Sequence, residues 1–195
     1  MKTCTAKPFL NLFFLSLLIL TIQGCSSILS ATTADPIESE EDERTTGSAL
    51  DDEVIETIAL VNIDKAHEEL AQAHIVVVSF NGVVLLAGQV NTAEQRILAA
   101  QTVAKIGKVR SVHNEITVAG KTSMVARSND SWITTKVKTK LLADDAVEGG
   151  RIKVVTENGV VYLMGLVTRD EATRAAEVAR KTGGVQKVVR IFEYI

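Results

Sequence analysis

Hydrophobic positions along this chain change their period at regular intervals, and the changes mark its elements. The run Val76-Val77-Val78-Ser79-Phe80-Asn81-Gly82-Val83-Val84-Leu85-Leu86-Ala87-Gly88 reads as two short β-rich stretches around Asn-Gly. It returns as Lys153-Val154-Val155-Thr156-Glu157-Asn158-Gly159-Val160-Val161-Tyr162-Leu163-Met164-Gly165. A tight hairpin turn needs positive φ at both central residues, and Asn-Gly accepts that, so each run predicts a β-hairpin. A helical segment follows each hairpin, with Thr92, Ala99, Ala100, Lys105 and Gly107 aligned to Thr168, Ala175, Ala176, Lys181 and Gly183. Glycine stops the helix. A last strand then covers Val109 to Val118 in one copy and Val185 to Ile195 in the other. Ahead of each hairpin lies a further helix, on which Leu50, Val54 and Ile58 share a face in the first copy and Ile133, Val137 and Leu141 in the second.

The order in each copy is helix, strand, strand, helix, strand. The expected fold is α+β: two tandem αββαβ units, each a three-stranded mixed sheet with two helices on one face. The second helix supplies the crossover that a parallel strand pair requires. The chain divides into a signal peptide (1–24), a tether beginning at Cys25 (25–47), a first domain (48–119), a linker (120–128) and a second domain (129–195).

The amino-terminal run has a separate logic. Lys2 and Lys7 precede the apolar stretch Phe9 to Ile22, which is shorter than the roughly 20 residues of a membrane span. It ends in Ile22-Gln23-Gly24-Cys25, the pattern of a bacterial lipoprotein signal, cut before a cysteine that becomes acylated. An ordinary secretory signal with an incidental Cys25 is the alternative. Ser26 and Ser27 open a polar stretch, and serine after the cysteine directs such lipoproteins to the outer membrane. Up to Gly47 the chain lacks hydrophobic periodicity and carries the acidic run Glu38, Glu40, Glu41, Asp42, Glu43. As a flexible coil such a spacer averages roughly 25 Å end to end and stretches to about 70 Å.

Charge separates the two copies. Ser48 to Lys121 holds six Lys and Arg against nine Asp and Glu, a net of −3, whereas Ala126 to Ile195 holds twelve against nine, a net of +3. The basic excess is sharpest in Ser131 to Ala143, where Lys136, Lys138 and Lys140 stand with the sole tryptophan, Trp132, and no acid. With Ile133, Val137 and Leu141 facing the sheet, Trp132 and Lys136 fall beside the buried stripe. An indole next to ammonium groups suits a membrane interface. Packing of Trp132 against the first domain is the competing reading. The equivalent helix of the first copy carries Asp51, Asp52, Glu53 and Glu56, which an anionic surface repels.

Catalytic patterns are missing from the sequence. With Cys4 in the signal and Cys25 acylated, no thiol remains for a disulfide, a metal or a nucleophile. His67, His74 and His113 show no metal-ligand spacing and read as surface or local hydrogen-bonding residues. Asp144, Asp145 and Glu148 have the wrong spacing for a calcium loop and read as a polar turn. Neither a nucleophile elbow nor a P-loop occurs. The basic helix lacks the repeated aromatics of single-strand nucleic-acid binders. The expectation is a protein that is not an enzyme, takes no cofactor or metal and binds no nucleic acid. Gly88 and Gly165 read as structural, each ending a strand where a side chain would meet the adjacent helix.

The αββαβ unit with its Asn-Gly hairpin, Gly88 and Gly165, and the approaches Gly107-Lys108-Val109-Arg110-Ser111-Val112 and Gly183-Gly184-Val185-Gln186-Lys187-Val188, resembles the BON domain. With the lipoprotein signal and acidic tether, the whole chain resembles the dual BON-domain outer-membrane lipoproteins. The likeness is strongest in the second copy, through Asn129-Asp130-Ser131-Trp132-Ile133-Thr134-Thr135-Lys136-Val137, Thr156-Glu157-Asn158-Gly159 and Tyr162-Leu163-Met164-Gly165-Leu166-Val167-Thr168. The resemblance implies a lipid-anchored protein facing the periplasm that binds the anionic phospholipids phosphatidylglycerol and cardiolipin through its second domain. It also implies enrichment at the division site, support of envelope integrity and contact with the outer-membrane assembly machinery. By that carry-over the lipid-binding residues are Trp132, Lys136, Val137, Lys138 and Leu142, with Val137 also fitting the buried stripe. An adaptor for envelope machinery, with Trp132 in a protein interface, is the second functional reading.

Overall fold

The structure is a computed structural model and describes residues 45–120 and 123–195. The expected signal peptide, Cys25 and the tether up to residue 44 lie outside the described residues. In the first domain, α1 (Thr46–Ala66) is followed by a one-turn helix α2 (Glu68–Ala71), then β1 (His74–Phe80), β2 (Val83–Val90), α3 (Ala93–Val103) and β3 (Ser111–Val118). The second domain has α4 (Met124–Leu142), a 3₁₀ turn (Gly149–Arg151), β4 (Ile152–Glu157), β5 (Val160–Val167), α5 (Arg169–Arg180) and β6 (Lys187–Tyr194).

Both hairpins form at Asn-Gly, with φ of 52° and 75° at Asn81 and Gly82 and 50° and 74° at Asn158 and Gly159. β1 and β2 run antiparallel and β2 and β3 parallel, and β4, β5 and β6 repeat this arrangement. The crossover helices start at matching capping boxes, Thr92 with Gln95 and Thr168 with Glu171. Each box satisfies two backbone donors that a helix start otherwise leaves open. The second domain's first helix begins at Met124, ahead of residue 129, the expected start of the second domain, because Ser123 caps it by accepting from Ala126 N–H (3.2 Å). Residues 124–128 of the expected linker are therefore helical.

In the second domain Ile133, Val137 and Leu141 are fully buried against β4, β5 and the alanine face of α5, as their spacing predicts. Each contributes about 1.5–3 kcal/mol by removing apolar surface from water. The first domain departs from expectation. Leu50, Val54 and Ile58 do share a face, but it is the outer one, at 65, 55 and 40% exposure, while Ile55, Ala59 and Ile63 are buried. α1 carries apolar residues at helical spacing on two faces, so periodicity cannot choose between them. Asp52 decides: it accepts from Ser79 Oγ (2.5 Å), Asn81 N–H (2.7 Å) and Gly82 N–H (2.9 Å), which turns its side of α1 toward the hairpin.

The sheets use their second faces on one another. Phe80, Val83, Leu85 and Ala87 form one buried cluster with Tyr162, Met164 and Ile191, giving four layers in the order helices, sheet, sheet, helices. All eight residues of β2 are buried. Polar ties close the rim of this interface. Arg110 pairs with Glu193 (2.6 Å), Asn81 donates to Glu193 (3.0 Å), and Lys153 donates to Glu56 (2.8 Å). Glu157 accepts from Gln89 (2.8 Å) and faces His74 Nε2 (3.2 Å), so His74 bridges the domains and its partner is far off in sequence, unlike the local role expected of it.

Candidate membrane-binding face

α4 is positioned by what it buries. Asp130 turns inward one helical turn before Ile133, where its carboxylate accepts from Asn158 N–H and Gly159 N–H (both 2.8 Å). It thereby holds the Asn-Gly turn of its own sheet, as Asp52 does in the first domain. With Asp130, Ile133, Val137 and Leu141 inward, the opposite side of α4 shows Met124, Val125, Trp132 and Leu142 to solvent. Trp132 is 62% exposed and Leu142 68%, and Trp132 has no place in the buried cluster between the sheets. The competing expectation, Trp132 packed against the first domain, is not what the structure shows.

Helical geometry of about 100° per residue places Lys138 on one flank of this apolar stripe and Lys136 and Lys140 on the other. Lys138 and Lys140 are exposed. Lys136 donates to the Gly183 carbonyl, and its ammonium lies 6.0 Å from the Trp132 ring centroid, at the outer limit of a cation–π contact. Among the described residues no carboxylate forms an ion pair with any of the three. The stripe is thus an apolar ridge with positive charge on both sides.

Of the five expected lipid-contacting residues, four meet at this surface: Trp132, Lys136, Lys138 and Leu142. Val137 does not. It is fully buried in the helix–sheet core, because it lies one turn from both Ile133 and Leu141 and shares their inward direction. The residues that sequence reasoning missed are Asp52 and Asp130. Their signal was present as Asp-x-x-Ile in both copies, ahead of each Asn-Gly.

The BON domain family matches residues 51–120 and 129–194. The chain belongs to the BON-domain family. It is 37% identical over 191 residues to the outer membrane lipoprotein DolP of Haemophilus influenzae, covering 98% of this chain and 99% of that protein. It is 41% identical over 154 residues to the 21 kDa hemolysin of Actinobacillus pleuropneumoniae, 79% of each chain. The osmotically-inducible protein Y of Escherichia coli is 32% identical over 148 residues, 73% of this chain and 72% of that one.

The two BON domains, BON1 and BON2, differ where they are aligned. Matching Asp52 to Asp130 sets Val54 at Trp132, Ile58 at Lys136, Leu60 at Lys138, Asn62 at Lys140 and Asp64 at Leu142. BON1 therefore has an exposed apolar stripe with Glu53 and Asp64 beside it, and none of the lysines. The glycines Gly88 and Gly165 sit inside β2 and β5, not at strand ends. A Cβ on either would strike neighbouring backbone and not one of the long helices: the His74 carbonyl of β1 for Gly88, and the Arg151 carbonyl at the end of the 3₁₀ turn that leads into β4, 2.8 Å away, for Gly165. Gly88 also holds a φ of 122°, which side chains rarely adopt. The polar turn expected at Asp144 is present. The Arg174 guanidinium beside Asp144 (2.8 Å) holds its carboxyl below the usual range.

Proposed function

We propose that this BON-domain protein is a lipid-anchored outer-membrane protein that faces the periplasm and binds anionic phospholipids through the outer face of α4. The reading is non-enzymatic, and it extends to phosphatidylglycerol and cardiolipin as ligands and to support of outer-membrane integrity at the division site. The observation that carries it is the exposure of Trp132 and Leu142 between lysines that have no carboxylate partner among the described residues. A relative matching nearly the full length is named an outer membrane lipoprotein, and the pattern around Cys25 agrees with acylation. No helix among the described residues is long and apolar enough to cross a membrane.

Magnitudes support a weak, tethered contact. Each lysine near an anionic surface contributes about 1 kcal/mol, and a buried indole about 1.5–3 kcal/mol. The sum, roughly 4–6 kcal/mol, corresponds to dissociation constants from about millimolar to tens of micromolar. Anchoring at Cys25 raises the effective membrane concentration enough for such a contact to dominate. The test uses the chain from residue 25 onward with Cys25→Ser. It should pellet with vesicles containing phosphatidylglycerol, not with zwitterionic ones, and Trp132→Glu should remove most binding while circular dichroism stays unchanged. Equal pelleting with both vesicles, or full binding by the folded variant, sinks the reading.

A second reading is an adaptor for the outer-membrane assembly or division machinery. The exposed Leu50, Val54 and Ile58 of BON1 favour it, since contiguous apolar surface on a helix commonly marks a protein contact. Site-specific photo-crosslinking at Val54 in cells tests it: a discrete adduct supports an adaptor surface, and its absence removes it.

A further inference from the structure

The internal repeat gives each BON domain the same groove, between its first helix and the strand that opens its hairpin. In BON1 the groove is filled from the other domain. Glu56 on α1 accepts from Ser79 N–H (2.8 Å), and the Lys153 ammonium, arriving from β4, donates to Glu56 (2.8 Å) and to the Ser79 carbonyl (3.0 Å). The aligned residues in BON2 are Thr134 for Glu56 and Thr156 for Ser79, and the residue facing them in place of Lys153 is Val76 on β1. Val76 is too short to span the gap. A cleft of about 340 Å3 remains, lined by His74, Val76, Arg127, Ser131, Thr134 and Thr156 among others.

Its chemistry is that of hydroxyl recognition. β4 is an edge strand, and Thr156 pairs with Val161, one position from the Glu157–Val160 pair that closes the turn. Bonded and non-bonded pairs alternate in antiparallel ladders, so the Thr156 N–H and C=O point away from β5. Thr134 Oγ1 donates to Thr156 Oγ1 (2.7 Å) beside them. Donors and acceptors therefore stand together, as a polyol requires. The floor does not suit a phosphate, because the Asp130 and Glu157 carboxylates already lie there. The cation is Arg127, about three helical turns before Lys138 and on the same flank of α4.

We propose that this cleft receives the glycerol end of a phosphoglycerol headgroup, with the phosphate held at Arg127. The inference rests on the lipid reading above and assigns headgroup selectivity to a place separate from the apolar ridge. At about 30 Å3 per water, the space takes roughly ten waters or one small polyol.

The test compares vesicles carrying equal fractions of phosphatidylglycerol or phosphatidylserine, using the Cys25→Ser chain from residue 25. One or two hydrogen bonds to glycerol should favour phosphatidylglycerol by about threefold or more. Thr134→Val, nearly isosteric, and Val76→Lys, which copies the BON1 arrangement, should each remove that preference and leave phosphatidylserine binding unchanged. Free glycerol 1-phosphate should compete for the preference where inorganic phosphate does not. Equal binding of both lipids by the parent chain overturns the proposal, as does a preference that survives in both folded variants. Equal competition by inorganic phosphate also overturns it, since the site then reads phosphate alone. Any of these results leaves charge-dependent binding through Trp132 standing, so the two readings fail separately.

Discussion

α1 and α4 occupy equivalent places in BON1 and BON2, and their inward sides are nearly interchangeable. Asp52, Ile55, Ala59 and Ile63 face one sheet, and Asp130, Ile133, Val137 and Leu141 face the other. Their outward sides have diverged: Val54 and Ile58 flanked by acids on α1, Trp132 and Leu142 flanked by lysines on α4. The fold constrains only the inward stripe and the aspartate, so a duplicated domain can alter its surface without altering its skeleton. This difference is the ground on which membrane contact is proposed for one copy and not for the other.

The largest effect should come from the shared aspartates. Removing Asp130 leaves two turn N–H groups without their acceptor, and removing Asp52 leaves two N–H groups and the Ser79 hydroxyl. Unsatisfied buried groups cost about 1–3 kcal/mol each, so Asp130→Ala should lose roughly 2–4 kcal/mol and Asp52→Ala more. Urea unfolding of both variants measures this. A loss below about 1 kcal/mol in either would mean that water replaces the carboxylate.

Next comes Val137, which separates burial from binding. Val137→Ala should destabilise BON2 by about 1–3 kcal/mol through lost apolar contact. Vesicle pelleting of the protein that remains folded should be unchanged, because the side chain never reaches the surface. Reduced pelleting by folded protein would restore Val137 to the lipid site.

Much of this architecture was legible beforehand, and the exceptions have physical causes. The hairpins, the parallel crossover and the inward stripe of α4 each rest on a local rule that nothing overrides. The rotation of α1 was hidden because both its faces are apolar and the deciding contact, Asp52 to the turn, spans almost thirty residues. The packing of sheet on sheet has a weaker signature in the sequence. Val83 to Gly88 and Val160 to Val167 are continuous apolar runs, which mark strands covered on both faces. In the candidate site, the tryptophan and lysines were visible by composition, whereas the cleft beside them depends on residues from both domains. Its wall includes Val76 on β1 and Thr156 on β4, which no local pattern brings together.

A smaller effect should follow from moving the α4 surface onto α1. Val54→Trp, Ile58→Lys, Leu60→Lys and Asn62→Lys reproduce the aligned residues while Glu53, Asp51 and Asp64 remain. Three lysines and an indole favour an anionic surface, and the retained acids offset part of that. In a Trp132→Glu background the transplant should restore binding to phosphatidylglycerol vesicles by about threefold to tenfold. No recovery in a folded protein would show that the surface needs more than ridge and charge, and would point to the cleft of BON2.

The smallest effect at neutral pH, but one with a distinct signature, concerns Tyr162, whose aligned residue in BON1 is Leu85. Both are buried where the sheets meet, yet only one can ionise. Burial pushes the Tyr162 phenol up to about 12, with Glu115 and Glu157 adding repulsion against a phenolate. An unfolded tyrosine loses its proton near pH 10. Between roughly pH 10 and 12 the native state therefore holds a proton that the unfolded state has released, and stability falls as pH rises through that window. Tyr162→Phe should change the urea midpoint little at pH 8 and should lose less stability than the parent between pH 10 and 11.5. All other groups are common to both proteins, so the difference between the two curves isolates the interface. Parallel curves would mean that the phenolate finds solvent, and that the sheets part at this point more readily than their packing suggests.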